Sequence, residues 1–360
     1  MRKIVRYILC FLVMIALTEG ETAAFDLSVP YELESLVPEA AELIGDNAEN
    51  GFGILEGIIS IVDRSMTEAR RYMFSGVRAV AVIMLGVVLL GVIESCSVDA
   101  KIGRYTTVVG TLWITAVSAG DVSALIGLGQ ETISRVSVLS KLLIPTLATA
   151  TAAAGGVTSA SVRQVGTVFF SDILLTAIEK LLIPMLYLYI GTAVAASVLD
   201  GNIMERIGTF IKKMITWCLS GLLILFTTYL AFSGAIAGTV DGQALRMVKT
   251  TVSTFVPIVG GILSEAAESL LVGAGLLRGM LGVFGMLAVL SVCLVPFLRL
   301  GVQYLLYQAA GFVTQTVGSE KLTKLLSMIG DAFALMLAMT AACALVLIIS
   351  LVSTVTVVIS

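Results

Sequence analysis

The chain contains no histidine. That absence removes Ser-His-Asp and Cys-His nucleophile systems, His-bearing zinc sites and His-ligated haem together. Charge is scarce too: Asp, Glu, Lys and Arg make up 13% of the 360 residues, against roughly 25% in a soluble globular domain. A chain of this length could bury a sizeable core in water, yet too few charged side chains remain to coat one. Lipid must replace the missing polar surface. Basic blocks are missing as well, and the formal net charge is −3, which argues against nucleic acid as a partner.

Paired cysteines are the next absence. Cys10, Cys96, Cys218, Cys293 and Cys343 show no CxxC spacing, and all but Cys10 lie in apolar runs. A Cys in such a run behaves as a small buried hydrophobe, so no metal site, cofactor or disulfide framework is expected. HExxH is impossible without His, and no Gly-x-Ser-x-Gly elbow, paired catalytic aspartates or Walker A loop occurs. Ser and Thr are common in the apolar runs, where they hydrogen-bond to their own helix. The expectation is a protein without enzymatic activity.

What is present is apolar sequence: 58% hydrophobic residues and a mean hydropathy of +1.03. Residues 1–24 read as a signal peptide. Arg2, Lys3 and Arg6 form its basic region, Ile8 to Leu17 its apolar core, and Thr22, Ala23 and Ala24 the small residues near cleavage. That core is too short to cross about 30 Å of hydrocarbon. Residues 25–76 read as an acidic extracytoplasmic tail followed by an amphipathic helix, with Ile54, Leu55, Ile58, Ile59, Val62 and Met66 at helical spacing. Such a helix suits the membrane interface.

Beyond it the chain reads as membrane. Val77–Glu94 and Tyr105–Leu128 are two spans, and further apolar stretches cover 142–154, 168–199, 214–238, 252–263, 276–298 and 331–358. The fold class is all-α, a polytopic bundle of about six to eight spans. The stretches at 142–154 and 252–263 are short and Pro-bearing, and are expected as broken or re-entrant segments. Lys and Arg divide evenly between alternate loops, so the positive-inside rule gives no orientation.

An internal duplication is also expected. Lys141-Leu142-Leu143-Ile144-Pro145 recurs as Lys180-Leu181-Leu182-Ile183-Pro184, an offset of 39 residues that Pro257 and Pro296 repeat. Gly155 and Gly156 follow the first Pro of one pair, and Gly260 and Gly261 that of the other. Residues 130–238 and 244–358 thus read as two copies of one membrane unit. Pro lacks an N–H and clashes with the preceding turn, and broken helices survive at membrane depth only beside protein or water. The prolines either shape a central site, as in transporters built on repeats, or kink the bundle for packing.

Ionisable groups inside spans are costly and usually functional. Asp172, Glu179 and Lys180 fall in the 168–199 stretch. Glu265 and Glu268 are three residues apart and share a helical face, with Arg278 the nearest downstream cation. They mark a polar pathway or partner contact, or else an interfacial turn in water. Gly273, Gly275, Gly279, Gly282 and Gly285 form a stripe with a GxxxG pair, suited to close helix packing or to self-association.

Three stretches carry a family resemblance. Leu142-Leu143-Ile144-Pro145 leading to Gly155-Gly156-Val157-Thr158-Ser159-Ala160-Ser161 is the first. Phe255-Val256-Pro257-Ile258-Val259-Gly260-Gly261, continuing through Glu265 and Glu268 to Leu277 and Gly282-Val283-Phe284-Gly285, is the second and most specific. Lys321-Leu322-Thr323-Lys324, then Ile329-Gly330-Asp331-Ala332 and a long apolar tail, is the third. Together they resemble the stage III sporulation protein AE family over most of the chain after about residue 50. The resemblance implies an endospore-forming bacterium and a multi-pass protein of the mother-cell membrane around the forespore. It implies a secretion-like channel complex with the other stage III A proteins and the forespore-side protein Q. The resemblance implies Asp at 265 and 268 in many members, and it offers no catalytic residues to carry over.

Two functions therefore lead, ahead of a third class, an intramembrane enzyme. One is a non-enzymatic membrane subunit of a channel or export complex. The other is a stand-alone secondary transporter built on two membrane repeats.

Overall fold

A computed structural model describes residues 54–96, 100–155, 157–199, 202–255, 259–317 and 320–356. The leader and the acidic tail lie outside the described residues, as do Gly156 and Pro257. The chain falls into two units, residues 1–64 and 65–360. The described part of the first is helical from Ile54 onward.

Every described element is a helix. They are α1 (Ile54–Ser95), α2 (Ala100–Ala153), α3 (Val157–Ala177), a π-turn (Ile178–Leu182), α4 (Ile183–Val198), α5 (Ile203–Phe255), α6 (Val259–Val317) and α7 (Glu320–Thr356). Six helical stretches among the described residues are long and apolar enough to cross a bilayer, which makes this an all-α bundle of the polytopic kind.

Contacts fix the direction of each helix in the second unit. The Trp113 indole N–H donates to the Val82 carbonyl at 3.3 Å, while Gly110 lies against Leu90, so α1 and α2 are antiparallel. Gly110 also meets Leu322, and Gly129 meets Met336, which sets α2 and α7 parallel. The Gln303 amide donates to Asp121 at 3.0 Å, and Gly285 lies near Leu143 and Leu351, so α6 runs against both. Tyr229 donates to the Val162 carbonyl at 2.8 Å, which with the Phe170–Phe226 ring contact orients α3 against α5. Thr167 and Ser350 share a buried hydrogen bond of 2.7 Å between α3 and α7. The result is an up-and-down meander. Ser95, Ala100, Val198, Ile203, Val317 and Glu320 all come to one face, and Ala153 and Val157 to the other.

The core lies around α7, where Leu326, Phe333, Met336, Met339, Leu347 and Leu351 are buried. Small residues at Gly330, Ala332, Ala342 and Ala344 let neighbouring helices approach it closely. Tyr307 of α6 packs edge-on to Phe333, with ring centroids 5.1 Å apart. Hydroxyls buried among these helices donate mostly to their own turns, as Thr111 does to Thr107, Ser118 to Ile114 and Thr340 to Met336. They satisfy themselves locally, as a dry interior requires.

The first of the short Pro-bearing segments is a correction. Pro145 lies inside α2, which continues for 54 residues. At about 1.5 Å per residue that is roughly 81 Å of helix, against about 30 Å of hydrocarbon. Residues 142–154 are its last turns, not a separate element. The acceptor that Pro145 leaves without an N–H is the Lys141 carbonyl, while the Thr146 hydroxyl donates to the Leu142 and Leu143 carbonyls at 3.1 and 2.9 Å. For 252–263 the expectation of a break stands beside helix ends at Phe255 and Val259, with Pro257 itself outside the described residues.

Pro184 behaves differently. It follows the π-turn, in which the Ile183 N–H reaches back to the Ile178 carbonyl. Widening the turn to an i→i+5 bond relieves the clash between the proline ring and the carbonyl of Lys180. Pro296 is buried inside a continuous α6.

Candidate functional site

A layer of polar side chains crosses the bundle where the charged starts of α5 and α7 give way to apolar sequence. After Asp331, α7 carries no charged residue. Lys212 Nζ of α5 lies 2.6 Å from Asp331 Oδ2, with Asp331 the more buried partner. Seven residues earlier on each helix, Lys324 Nζ lies 3.3 Å from Glu205 Oε2 and 3.1 Å from Glu320 Oε1. Both interhelical pairs are 119 residues apart in sequence. That shared offset holds α5 and α7 parallel and in register, one heptad between the two bridges.

These bridges line a cavity of about 430 Å³ among α4, α5 and α7, with Tyr189, Lys213, Trp217 and Ser327 on its walls. A second cavity of about 340 Å³ shares Glu205, Lys324 and Met328 with it. On the other side of α7 the layer continues into α6. The Gln308 amide points at Asp331 Oδ1 from 3.5 Å, and the Ser327 hydroxyl at Gln308 Oε1 from 3.5 Å. One turn along α6, Gln303 holds Asp121 of α2. Arg299 stands over the Tyr72 ring, 3.4 Å from its centroid, in a pocket of about 60 Å³ that Asp121 and Gln303 also line. The buried Tyr307 hydroxyl lies beside Ser118, Asp121 and Gln303 without a hydrogen bond of acceptable geometry. Two amides of α6 thus meet two carboxylates, Asp121 and Asp331, and Lys212 meets Asp331 from α5. Chemically, this arrangement can hold charge inside an apolar bundle. No group of three or more Cys, Asp or Glu among the described residues is placed to hold a metal ion.

The residues singled out in the sequence are not brought together here. Gly155 makes the α2–α3 turn with φ 90°, a backbone region that favours glycine. Pro145 is half-buried in α2, and Glu179 and Pro184 are exposed at and after the π-turn. Gly260, Gly261, Glu265, Glu268 and Arg278 lie on α6, with side chains outside the described residues. The glycines of the stripe differ in their surroundings. A Cβ at Gly273, Gly275 or Gly279 would meet no atom of the described residues within 4 Å, whereas at Gly285 it would lie 3.1 Å from Leu351. Among the described residues, Gly285 is the member of the stripe with a close neighbour.

Asp172, Glu179 and Lys180 point outward. All three are exposed, although they lie in an apolar stretch. Thr167 bonds Ser350, and Leu174 and Leu175 line one small pocket with Cys343, Val346 and Leu347. Asp172 is therefore level with the middle of the charge-free part of α7. A charge left in hydrocarbon at such depth is unfavourable by about 2.5–3.5 kcal/mol on insertion scales. Sequence reasoning missed Asp121, an ionisable residue inside an apparent span that the same rule would have flagged. It also missed the pairings of Lys212, Glu205, Lys324 and Asp331, which no local pattern reveals.

The profile of the stage III sporulation protein AE family matches residues 42–359. The chain belongs to that family. It is a sporulation protein in consequence, and the resemblance in the sequence is borne out. A relative called stage III sporulation protein AE, from Bacillus subtilis (strain 168), is 21% identical over 247 residues. The match covers 68% of this chain and 61% of that protein, so it spans less than two thirds of the relative's length. No solved structure matches the chain.

Proposed function

We propose that this sporulation protein is a non-enzymatic, multi-pass membrane subunit of a channel or secretion-like complex joining mother cell and forespore. Its partners in this reading are the other stage III A membrane proteins and the forespore-side protein Q, and its site is the mother-cell membrane around the forespore. One observation carries the choice of a subunit over a self-sufficient protein. Asp172 is exposed on the outside of the bundle level with the middle of the charge-free run of α7, and Glu179, seven residues on, is exposed too, where a protein standing alone in lipid would bury or omit such groups. Larger assemblies cover such groups.

The test is co-purification from sporulating cells after gentle solubilisation. Partner membrane proteins should travel with the tagged chain, and cells lacking it should arrest after engulfment and recover on complementation. Recovery of the chain alone, with normal spores in its absence, would overturn the reading.

The polar layer favours a second reading, a stand-alone secondary transporter built on two membrane repeats. The two hairpins, α3–α4 with α5 and α6 with α7, support a duplication. Corresponding helices run parallel, as expected for repeats related by an axis along the membrane normal. Solute uptake by the purified chain in liposomes, lost in Asp121→Asn or Asp331→Asn, would favour the transporter. Absence of uptake together with partner recovery would favour the subunit.

A further inference from the structure

We infer that the outward face of α3 and its π-turn is a contact between two copies of this chain, made by Asp172 and Glu179 of one copy with Lys141 and Lys180 of the next. This rests on the subunit reading above and deepens it by naming one partner.

Three observations carry it. First, depth: the Thr167–Ser350 bond and the pocket shared by Leu174 and Cys343 place this face against the charge-free run of α7. Second, arrangement: Val165, Phe169, Asp172, Thr176 and Glu179 follow one another at three- and four-residue steps, and all are exposed. They form a stripe along α3 that runs into the π-turn, with two carboxylates seven residues apart inside an apolar border. A water-filled lumen would favour a broadly polar wall; a narrow charged ladder between Phe169 and Leu181 suits a packed helix. Third, complementarity: the chain supplies its own counter-charges. Lys141 on α2 and Lys180 in the π-turn are exposed too, and no ion pair among the described residues engages any of the four. Two carboxylates and two ammonium groups balance.

The arrangement is heterologous if Lys141 of each copy serves the carboxylates of the next, and such contacts propagate into a ring where the rotation closes and an open filament where it does not. Ion pairing away from water is favoured by the low local dielectric, and it fixes register as well as affinity.

The experiment expresses two differently tagged copies of the full chain in a host without other sporulation proteins. Co-purification in mild detergent is expected. The neutral pair Asp172→Asn and Glu179→Gln should lower it about tenfold, which corresponds to about 1.4 kcal/mol, without changing the melting temperature of the protomer. Reversal to Asp172→Lys and Glu179→Lys should abolish it, and adding Lys141→Glu with Lys180→Glu should restore it. Three outcomes overturn the inference: no association of the chain with itself, association indifferent to all these changes, or labelling of cysteines at 172 and 179 by aqueous thiol reagents in the assembled protein. Co-purification only when other sporulation proteins are present also overturns it, while leaving the subunit reading intact.

Discussion

Lys212 and Asp331 form an ion pair of 2.6 Å at the point where α7 loses its charges. Removing one partner strands the other. Asp331→Ala should destabilise the bundle by roughly 1–3 kcal/mol, less than the roughly 3–5 kcal/mol of a fully buried pair, because the Lys212 side chain is 40% exposed. The double variant with Lys212→Ala should lose less than the sum of the singles. Unfolding curves in detergent decide this, and strict additivity would show that the pair is not coupled.

Gly285 and Gly279 should respond oppositely to enlargement. Gly285→Leu drives a side chain into Leu351 and Leu143, an overpacking worth about 1–3 kcal/mol. Gly279→Leu meets no described atom of its own chain and should leave protomer melting unchanged. If its abundance in membranes falls nonetheless, Gly279 faces another subunit.

Gly155→Ala places a Cβ at φ 90°. The left-handed region disfavours it by about 1–2 kcal/mol, and thermal unfolding should shift accordingly. An unchanged midpoint would mean that the α2–α3 turn relaxes freely.

Pro184→Ala restores an N–H four residues after Lys180. The π-turn should then tighten towards an α-helix, with stronger amide protection across 178–184 by hydrogen exchange. Persistence of the wide turn would assign it to packing and not to the proline.

Topology can be read by labelling. Cys96 and introduced cysteines at Asn202 and Glu320 should react from one side of the membrane, and one at Ala153 from the other. All four reacting from a single side would contradict the meander.

Much of this architecture is legible in the order of the residues. Apolar runs mark the lipid-facing stretches, and scarce charge excludes an aqueous fold. What hydropathy reports, however, is where lipid ends, not where a helix ends. Gln130 to Lys141 reads as a polar break, yet α2 passes straight through it. Glu131 and Arg135 pair at 2.8 Å across one turn and support the helix there. Pro145 misleads in the same way, since α2 runs on through it and gives up only the bond its N–H would have made to the Lys141 carbonyl. Pro184 is the clearer case, because its clash shows as a π-turn.

The polar layer is largely illegible for another reason. Its members lie 119 residues apart on α5 and α7 and are joined by register alone. Asp121 stands in plain view but is hidden by the apolar residues around it, whereas the conspicuous Glu265 and Glu268 lie on α6 with undescribed side chains.

The unbroken course of α2 has a mechanical side. An uninterrupted rod more than twice as long as the oily slab is thick must lean steeply or project well past the headgroups. Either way, a push delivered near Ala100 meets a proline, Pro145, before it reaches Ala153. A complex assembled around such a rod could pass displacement from one compartment's surface towards the other, stiffly as far as that proline.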